Sequence, residues 1–150
     1  MSSACTVRAA LPSDEPAWRE LWRGYCDFYQ AQLPEAVTNH TWQRILDPDS
    51  QIMCVMAEVD GQVYGFANCV VHQATWEIQA VCYLEDLYVH PSARGRGIGA
   101  TLLEWLRNAM RAEGWARLYW VTREGNAEAR RLYDRFASAD DFVRYVIRQK

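Results

Sequence analysis

One stretch limits the possible folds more than any other: Leu87-Tyr88-Val89-His90-Pro91-Ser92-Ala93-Arg94-Gly95-Arg96-Gly97-Ile98-Gly99-Ala100-Thr101-Leu102-Leu103. β-Prone residues run into a proline, three glycines follow at alternate positions, and an apolar helical pattern begins at once. This reads as strand, glycine turn, helix start. The first N–H groups of a helix have no intrahelical acceptor, and the helix dipole adds positive potential there. Glycines let the backbone approach a ligand with no side chain in the way. A phosphate or pyrophosphate is the natural occupant. A glycine turn with no ligand is the plain alternative.

Around this stretch the chain alternates between strand and helix patterns. Cys5 to Ala9 is a short strand candidate, closed by Leu11-Pro12-Ser13. A helix follows, with Ser13 or Asp14 as cap and Pro16 tolerated in its first turn. Trp18, Leu21, Trp22, Tyr25, Phe28 and Tyr29 recur on one wide aromatic face. A weaker helix covers Thr38 to Leu46. Ile52 to Val59 and Gln62 to Val71 flank Asp60-Gly61, a strong hairpin signal. A third run, Trp76 to Val89, is long enough for the central strand of a sheet. After the glycine turn, Ile98, Leu102, Trp105, Leu106, Ala109 and Met110 mark an amphipathic helix with Gly114 as its C-cap. Ala116 to Val121 reads as a strand, Asn126 to Phe136 as a helix and Phe142 to Arg148 as a final strand. That order describes an α/β or α+β domain built on one mixed sheet.

Length and composition set the outer bounds. With 150 residues the chain is expected to form a single domain, residues 1–150, with a core of its own. A net charge of −3 leaves no basic field for nucleic acid. No apolar run reaches membrane-spanning length, and Met1-Ser2-Ser3-Ala4 opens no secretion signal. The five cysteines are odd in number and fall mostly in apolar runs, which suits buried thiols in a reducing compartment. A cytoplasmic protein is expected, with neither nucleic-acid nor membrane partners. His40, His72 and His90 lie far apart without ligand spacing, so no metal site is expected.

Three phosphate-binding patterns compete for the glycine turn. Gly95-x-Gly97-x-x-Ala100 formally fits a dinucleotide fingerprint, with Glu124 roughly where a ribose-binding acid would lie. That fingerprint normally follows a first strand, whereas a hairpin and a long strand precede it here. A Walker loop fails for want of Gly-Lys-Ser/Thr. Arg94-x-x-Gly97-x-Gly99 resembles the acyl-CoA-binding motif of the GCN5-related N-acetyltransferases, and the flanking strand, Pro91 and Leu102-Leu103 agree with it. Tyr83-Leu84-Glu85-Asp86-Leu87-Tyr88-Val89 resembles the corresponding strand of the polyamine-type members. Leu21 to Tyr29 and Phe142 to Tyr145 are similar to the fungal histone-and-polyamine branch.

The resemblance implies a single-domain fold with a mixed, mostly antiparallel sheet flanked by about four helices. It implies an acetyl-CoA-dependent transferase that moves the acetyl group directly to a primary amine: a polyamine, another small amine, an amino acid or a lysine. A non-catalytic acyl-CoA-binding or regulatory module is the alternative. By the same resemblance the backbone of Leu87, Tyr88 and Val89 holds the acetyl and pantetheine part and polarises the thioester carbonyl. Arg94, Gly95, Arg96, Gly97, Ile98, Gly99 and Ala100 wrap the pyrophosphate. Asn126-Ala127-Glu128-Ala129-Arg130-Arg131-Leu132-Tyr133 resembles the second cofactor motif, with Asn126, Ala129, Arg130 and Tyr133 on one helical face. Asn126 and Ala129 would then meet the CoA arm, and Tyr133 would be the general acid to the departing thiolate. An amine nucleophile must lose a proton. Glu85 is the expected base, and strict alternation puts Asp86 on the opposite face unless a bulge intervenes. Tyr25, Asp27, Tyr29, Asp140 and Asp141 are candidates for selecting a cationic acceptor. The family commonly has Gly-Phe shortly after the tyrosine; Tyr133-Asp134-Arg135-Phe136-Ala137 departs from that. A homodimer is expected from the resemblance alone.

Overall fold

The computed structural model describes residues 4–149, so the Met1-Ser2-Ser3 opening lies outside the described residues. Strands β1 (Thr6–Ala9), β2 (Ile52–Val59), β3 (Gln62–His72), β4 (Val81–Val89) and β5 (Leu118–Tyr119) form one sheet in that order. The first four are mutually antiparallel, and β5 joins β4 in parallel. Helices α1 (Glu15–Phe28) and α2 (Glu35–Leu46) cover one face. Helix α3 (Ile98–Glu113) covers the other, and α4 (Ala127–Tyr133) follows β5. The expected mixed, mostly antiparallel sheet with four helices is therefore present in a single domain. Among the described residues no helix is long and apolar enough to cross a membrane.

Each sheet face has its own core. Leu102, Leu103 and Leu106 of α3 bury completely against Val55, Ala67, Cys69, Cys82 and Leu84. On the other face the aromatic stripe of α1 does the same work. Trp18 is fully buried, stacked on Trp22 with centroids 5.3 Å apart and tilted against Trp42 of α2 at 5.1 Å. Its indole N–H donates to the side-chain carbonyl of Asn68 at 3.5 Å. Trp18→Ala is expected to cost about 3–5 kcal/mol, because the neighbouring rings cannot collapse into the space. A denaturation midpoint shift of less than half that size at constant m would show the site to be plastic.

Asp60 (φ +51°) and Gly61 (φ +77°) make the tight hairpin turn that their sequence predicts. Gly114 caps α3 with φ +75°. Several boundaries differ from expectation. Strand β4 begins at Val81; Trp76 and Ile78 are exposed in the connection before it, and β3 is the middle strand. The predicted strand Ala116–Val121 shrinks to Leu118–Tyr119, and Asn126 is the N-cap of α4 with the helix ending at Tyr133. Helix α2 starts at Glu35, a full turn earlier, once Pro34 has blocked the preceding chain. The predicted final strand Phe142–Arg148 has no pairing partner within the described residues.

Candidate active site

Strands β4 and β5 pair only at Cys82 with Leu118 and at Tyr83 with Tyr119. Beyond that point β4 keeps its β3 neighbour but pairs with no further strand on the other side among the described residues. A groove of about 350 Å³ opens there. Leu87, Tyr88 and Val89 line its strand side, Tyr25, Phe28 and Tyr29 come from α1, and Asn126, Ala129, Leu132 and Tyr133 come from α4. Arg94, Gly95, Gly97, Ile98, Gly99 and Ala100 complete it. Arg96 does not line the groove; its guanidinium lies over the Tyr64 ring, 5.9 Å from the centroid.

The glycine turn carries the most telling feature. The backbone N–H groups of Gly95, Arg96, Gly97, Ile98, Gly99 and Ala100 donate to no acceptor among the described residues. Gly95 (φ +80°) and Gly97 (φ +78°) adopt the left-handed conformation that aims these groups outward, and a Cβ at either would meet open space. Orphan donors in a row beside the start of a sixteen-residue helix form an anion cradle. His90 braces the turn from below: its Nδ1 accepts the Ser92 N–H at 3.1 Å. Arg94 donates from Nε to the Val89 carbonyl at 3.2 Å and lies over the Tyr88 ring, which ties the turn to the strand. Gly24 of α1 approaches the same ring so closely that a Cβ there would lie 2.5 Å from the Tyr88 hydroxyl.

On α4, the Asn126 side chain accepts the Ala129 N–H at 3.3 Å and donates to Thr122 at 3.4 Å. It orients the helix start as well as facing the groove. Tyr133 projects from the last turn and meets Trp120 edge-on at 5.5 Å. Burial pushes its phenol up to about 12, with a smaller push from Tyr29. The hydroxyl therefore keeps its proton at neutral pH and makes no hydrogen bond among the described residues.

The acidic pair departs from strict alternation. Asn68 pairs with Asp86, but the next β3 residue, Cys69, pairs with Leu84, so Glu85 is an extra residue on β4. This bulge reverses the side-chain order. Leu84 and Leu87 both face the α3 core, and Asp86 turns to the α1 face. There Asp86 accepts from Asn68 Nδ2 at 3.2 Å and from the Tyr25 hydroxyl. Burial pushes the Asp86 carboxyl up to about 6, against those two hydrogen bonds, which favour the charged form, and with a small further push from Glu85. Glu85 itself is exposed. The bulge that alternation left open is thus present: it sets Asp86 on the α1 face, while Glu85 stands exposed. Asn68 was also missed, although a lone amide inside the apolar run of β3 is a recognisable signal of a buried polar partner.

Other candidates scatter. Tyr25 and Tyr29 line the groove, Asp27 is exposed outside it, and Asp140 and Asp141 lie along a second groove beside β5. All five cysteines are free. Burial pushes the thiols of Cys5, Cys26 and Cys54 up, and a hydrogen bond with Cys82 together with burial holds Cys69 well above the usual range. Among the described residues no group of three or more His, Cys, Asp or Glu is placed to hold a metal ion.

Comparison with known proteins agrees with this geometry. The family model described as the acetyltransferase (GNAT) family matches residues 16–137. The chain is 35% identical over 141 residues to a D-amino-acid N-acetyltransferase of Saccharomyces cerevisiae, covering 93% of this chain and 88% of the relative. It is 31% identical over 124 residues to an aminoglycoside N(6′)-acetyltransferase type 1 of Klebsiella aerogenes, covering 78% and 74%. Among solved structures, an aminoglycoside N-acetyltransferase in complex with CoA superposes with a TM-score of 0.82 at 21% identity, over 99% of this chain and 98% of that one. A ribosomal-protein-alanine N-acetyltransferase from Brucella melitensis superposes at 0.83 with 23% identity, over 97% and 99%. The matched span contains the sheet from β2 onward, the glycine turn and α4, and the chain belongs to the GNAT acetyltransferase family, as an enzyme of the N-acetyltransferase class.

Proposed function

We propose that the protein transfers an acetyl group directly from acetyl-CoA to a small primary amine. The unsatisfied N–H row from Gly95 to Ala100 carries this reading, because such a row fits the pyrophosphate of a CoA molecule. The fit continues along the groove. Arg94 and the turn would hold the phosphates, the open edge of β4 at Leu87, Tyr88 and Val89 would take the pantetheine arm, and Asn126 and Ala129 would flank it. Bound acetyl-CoA supplies the acetyl thioester, an electrophilic carbonyl on a thiolate leaving group.

The chain's own residues then have separable tasks. A backbone N–H of β4 between Leu87 and Val89 polarises the acyl oxygen, a role that needs no particular side chain. Tyr133 holds a proton at its hydroxyl for the departing sulfur. The burial that raises its own pKa acts equally against a thiolate in the same place, so the two stay matched. Asp86 accepts the proton of the amine, through the Tyr25 hydroxyl that it binds or through one water. Glu85, the residue first expected in this role, stands exposed at the bulge, and we assign it to the acceptor entrance instead. A cysteine relay is not needed, since Cys82 is buried in the α3 core.

The relatives named above act on D-amino acids and aminoglycosides, both amine-bearing small molecules, and we take the same broad class as the acceptor here. Free cysteines throughout fit a reducing compartment, and we place the protein in the cytoplasm. Calorimetry with acetyl-CoA, followed by CoA-thiol release across D-amino acids, aminoglycosides, polyamines and a lysine peptide, tests the reading. Binding with turnover on one class supports it; absence of acetyl-CoA binding overturns it. Gly97→Val is expected to weaken acetyl-CoA about tenfold or more, because a β-branched residue at φ +78° costs about 1–3 kcal/mol and re-aims the donors. Unchanged affinity in a variant with a native circular-dichroism spectrum would detach the turn from the cofactor.

A further inference from the structure

Asn68 stands in the buried middle of β3, only 4% exposed, and the proposed chemistry gives it no task. It lies between two groups of opposite character. On one side the Trp18 indole N–H donates to its Oδ1 at 3.5 Å; on the other its Nδ2 donates to Asp86 Oδ2 at 3.2 Å. An indole nitrogen can only donate, and an ionised carboxylate can only accept. The two neighbours therefore fix which way the amide points, since reversing it would set N–H against N–H and oxygen against oxygen. Trp18 is itself fully buried, stacked on Trp22 and packed against Trp42, which seats the lock firmly.

The carboxylate so held has few other supports. Among the described residues, the ionisable groups that act on Asp86 or feel its charge are Tyr25 and Cys26 of α1, Cys54 of β2, Cys69 of β3, and Tyr83 and Glu85 of β4. None is a cation. Burial opposes the charged form and Glu85 adds to that opposition, while the hydrogen bonds from Tyr25 and Asn68 favour it. Tyr25 lines the cofactor groove; neither Asp86 nor Asn68 does. The amide is thus the support set back from the reactants.

We infer that Asn68, locked by Trp18, is a positioning residue for the transfer reaction: it holds the Asp86 carboxylate towards Tyr25 and sets the pH at which that carboxylate can take the amine's proton. The inference rests on the proposed role of Asp86 as base. In the step itself an N–H bond of the ammonium breaks and an O–H bond forms at Asp86, which becomes neutral. Asn68 makes and breaks no covalent bond, and its N–H faces a carboxyl oxygen before and after.

Asn68→Leu removes the donor at similar volume. Carboxyl-carbon NMR on the free protein, with Asp86→Asn identifying the resonance, should place the wild-type midpoint at about 6. In Asn68→Leu it should move to alkaline pH by about one pH unit, the weight of one hydrogen bond to a charged group. The acidic limb of kcat/KM should follow, with rates about five- to tenfold lower below the wild-type midpoint and within about threefold on the alkaline plateau. Trp18→Phe, which keeps a ring and removes the N–H, should move the midpoint the same way by less, and no further when combined with Asn68→Leu. Should Asn68→Leu fail to fold, the displaced midpoint of Trp18→Phe carries the test alone. An unmoved NMR midpoint, or a rate loss equal at every pH, overturns the inference while the base assignment stands. An acidic limb that survives in Asp86→Asn defeats the base assignment instead, and with it Asn68's part in the reaction, even where the NMR midpoint moves.

Discussion

Tyr133→Phe is expected to lower kcat by about 10²–10³-fold while the dissociation constant of acetyl-CoA changes less than about twofold. The hydroxyl makes no hydrogen bond among the described residues, so its removal orphans no partner there and gives the fold little reason to respond. The ring stays, keeping its edge-on contact with Trp120 and its place in the groove wall. What is lost is one proton, held at a site where burial keeps it bound at every pH of interest. Single-turnover kinetics beside calorimetry separates the two effects. Wild-type turnover in the variant would remove Tyr133 from the chemistry.

Asp86→Asn should reduce kcat/KM by about 10²-fold or more and abolish the acidic limb of the pH profile. The carboxyl titrates at about 6 in the folded protein, so in the wild type the rate should rise with pH through that value and level off once the carboxylate has formed. The sign for stability is the reverse. A carboxyl raised above its unfolded value favours the folded state while neutral, and that contribution is lost as pH rises through about 6. The asparagine never ionises, so its Tm should be insensitive to pH across this window, and the loss of activity should come without loss of fold. Glu85→Gln is the control, expected to change kcat/KM by less than about threefold. If Glu85→Gln carries the large effect and Asp86→Asn does not, the base lies on the bulge residue.

The parts of this protein that were legible in its sequence are those governed by local rules. The hairpin at Asp60-Gly61 and the glycine turn needed particular backbone angles, and the residues that supply them are conspicuous. The α1 stripe showed its period because Trp18, Trp22, Tyr25 and Tyr29 recur along one face and meet ring to ring in succession. The bulge at Glu85 left no such mark. It arises from the pairing register between β3 and β4, a non-local property, and it decides that Asp86 faces Asn68 and the α1 side of the sheet. The connection from Trp76 to Ala80 misled for a related reason: an apolar run states a preference for burial, and only the tertiary fold decides whether burial is available. Phe142–Arg148 is the converse case, a strand pattern that pairs with no neighbour among the described residues.

The sealed thiols have a practical corollary for whoever assays this enzyme. Disulfide-exchange dyes react with thiolates, and here the cysteines are mostly buried, with protons held tightly at Cys26, Cys54 and Cys69. The folded protein should be nearly silent to such a dye, so that each increment of colour counts a CoA molecule set free. A rising blank would then serve as an alarm, signalling that the preparation is denaturing in the cuvette.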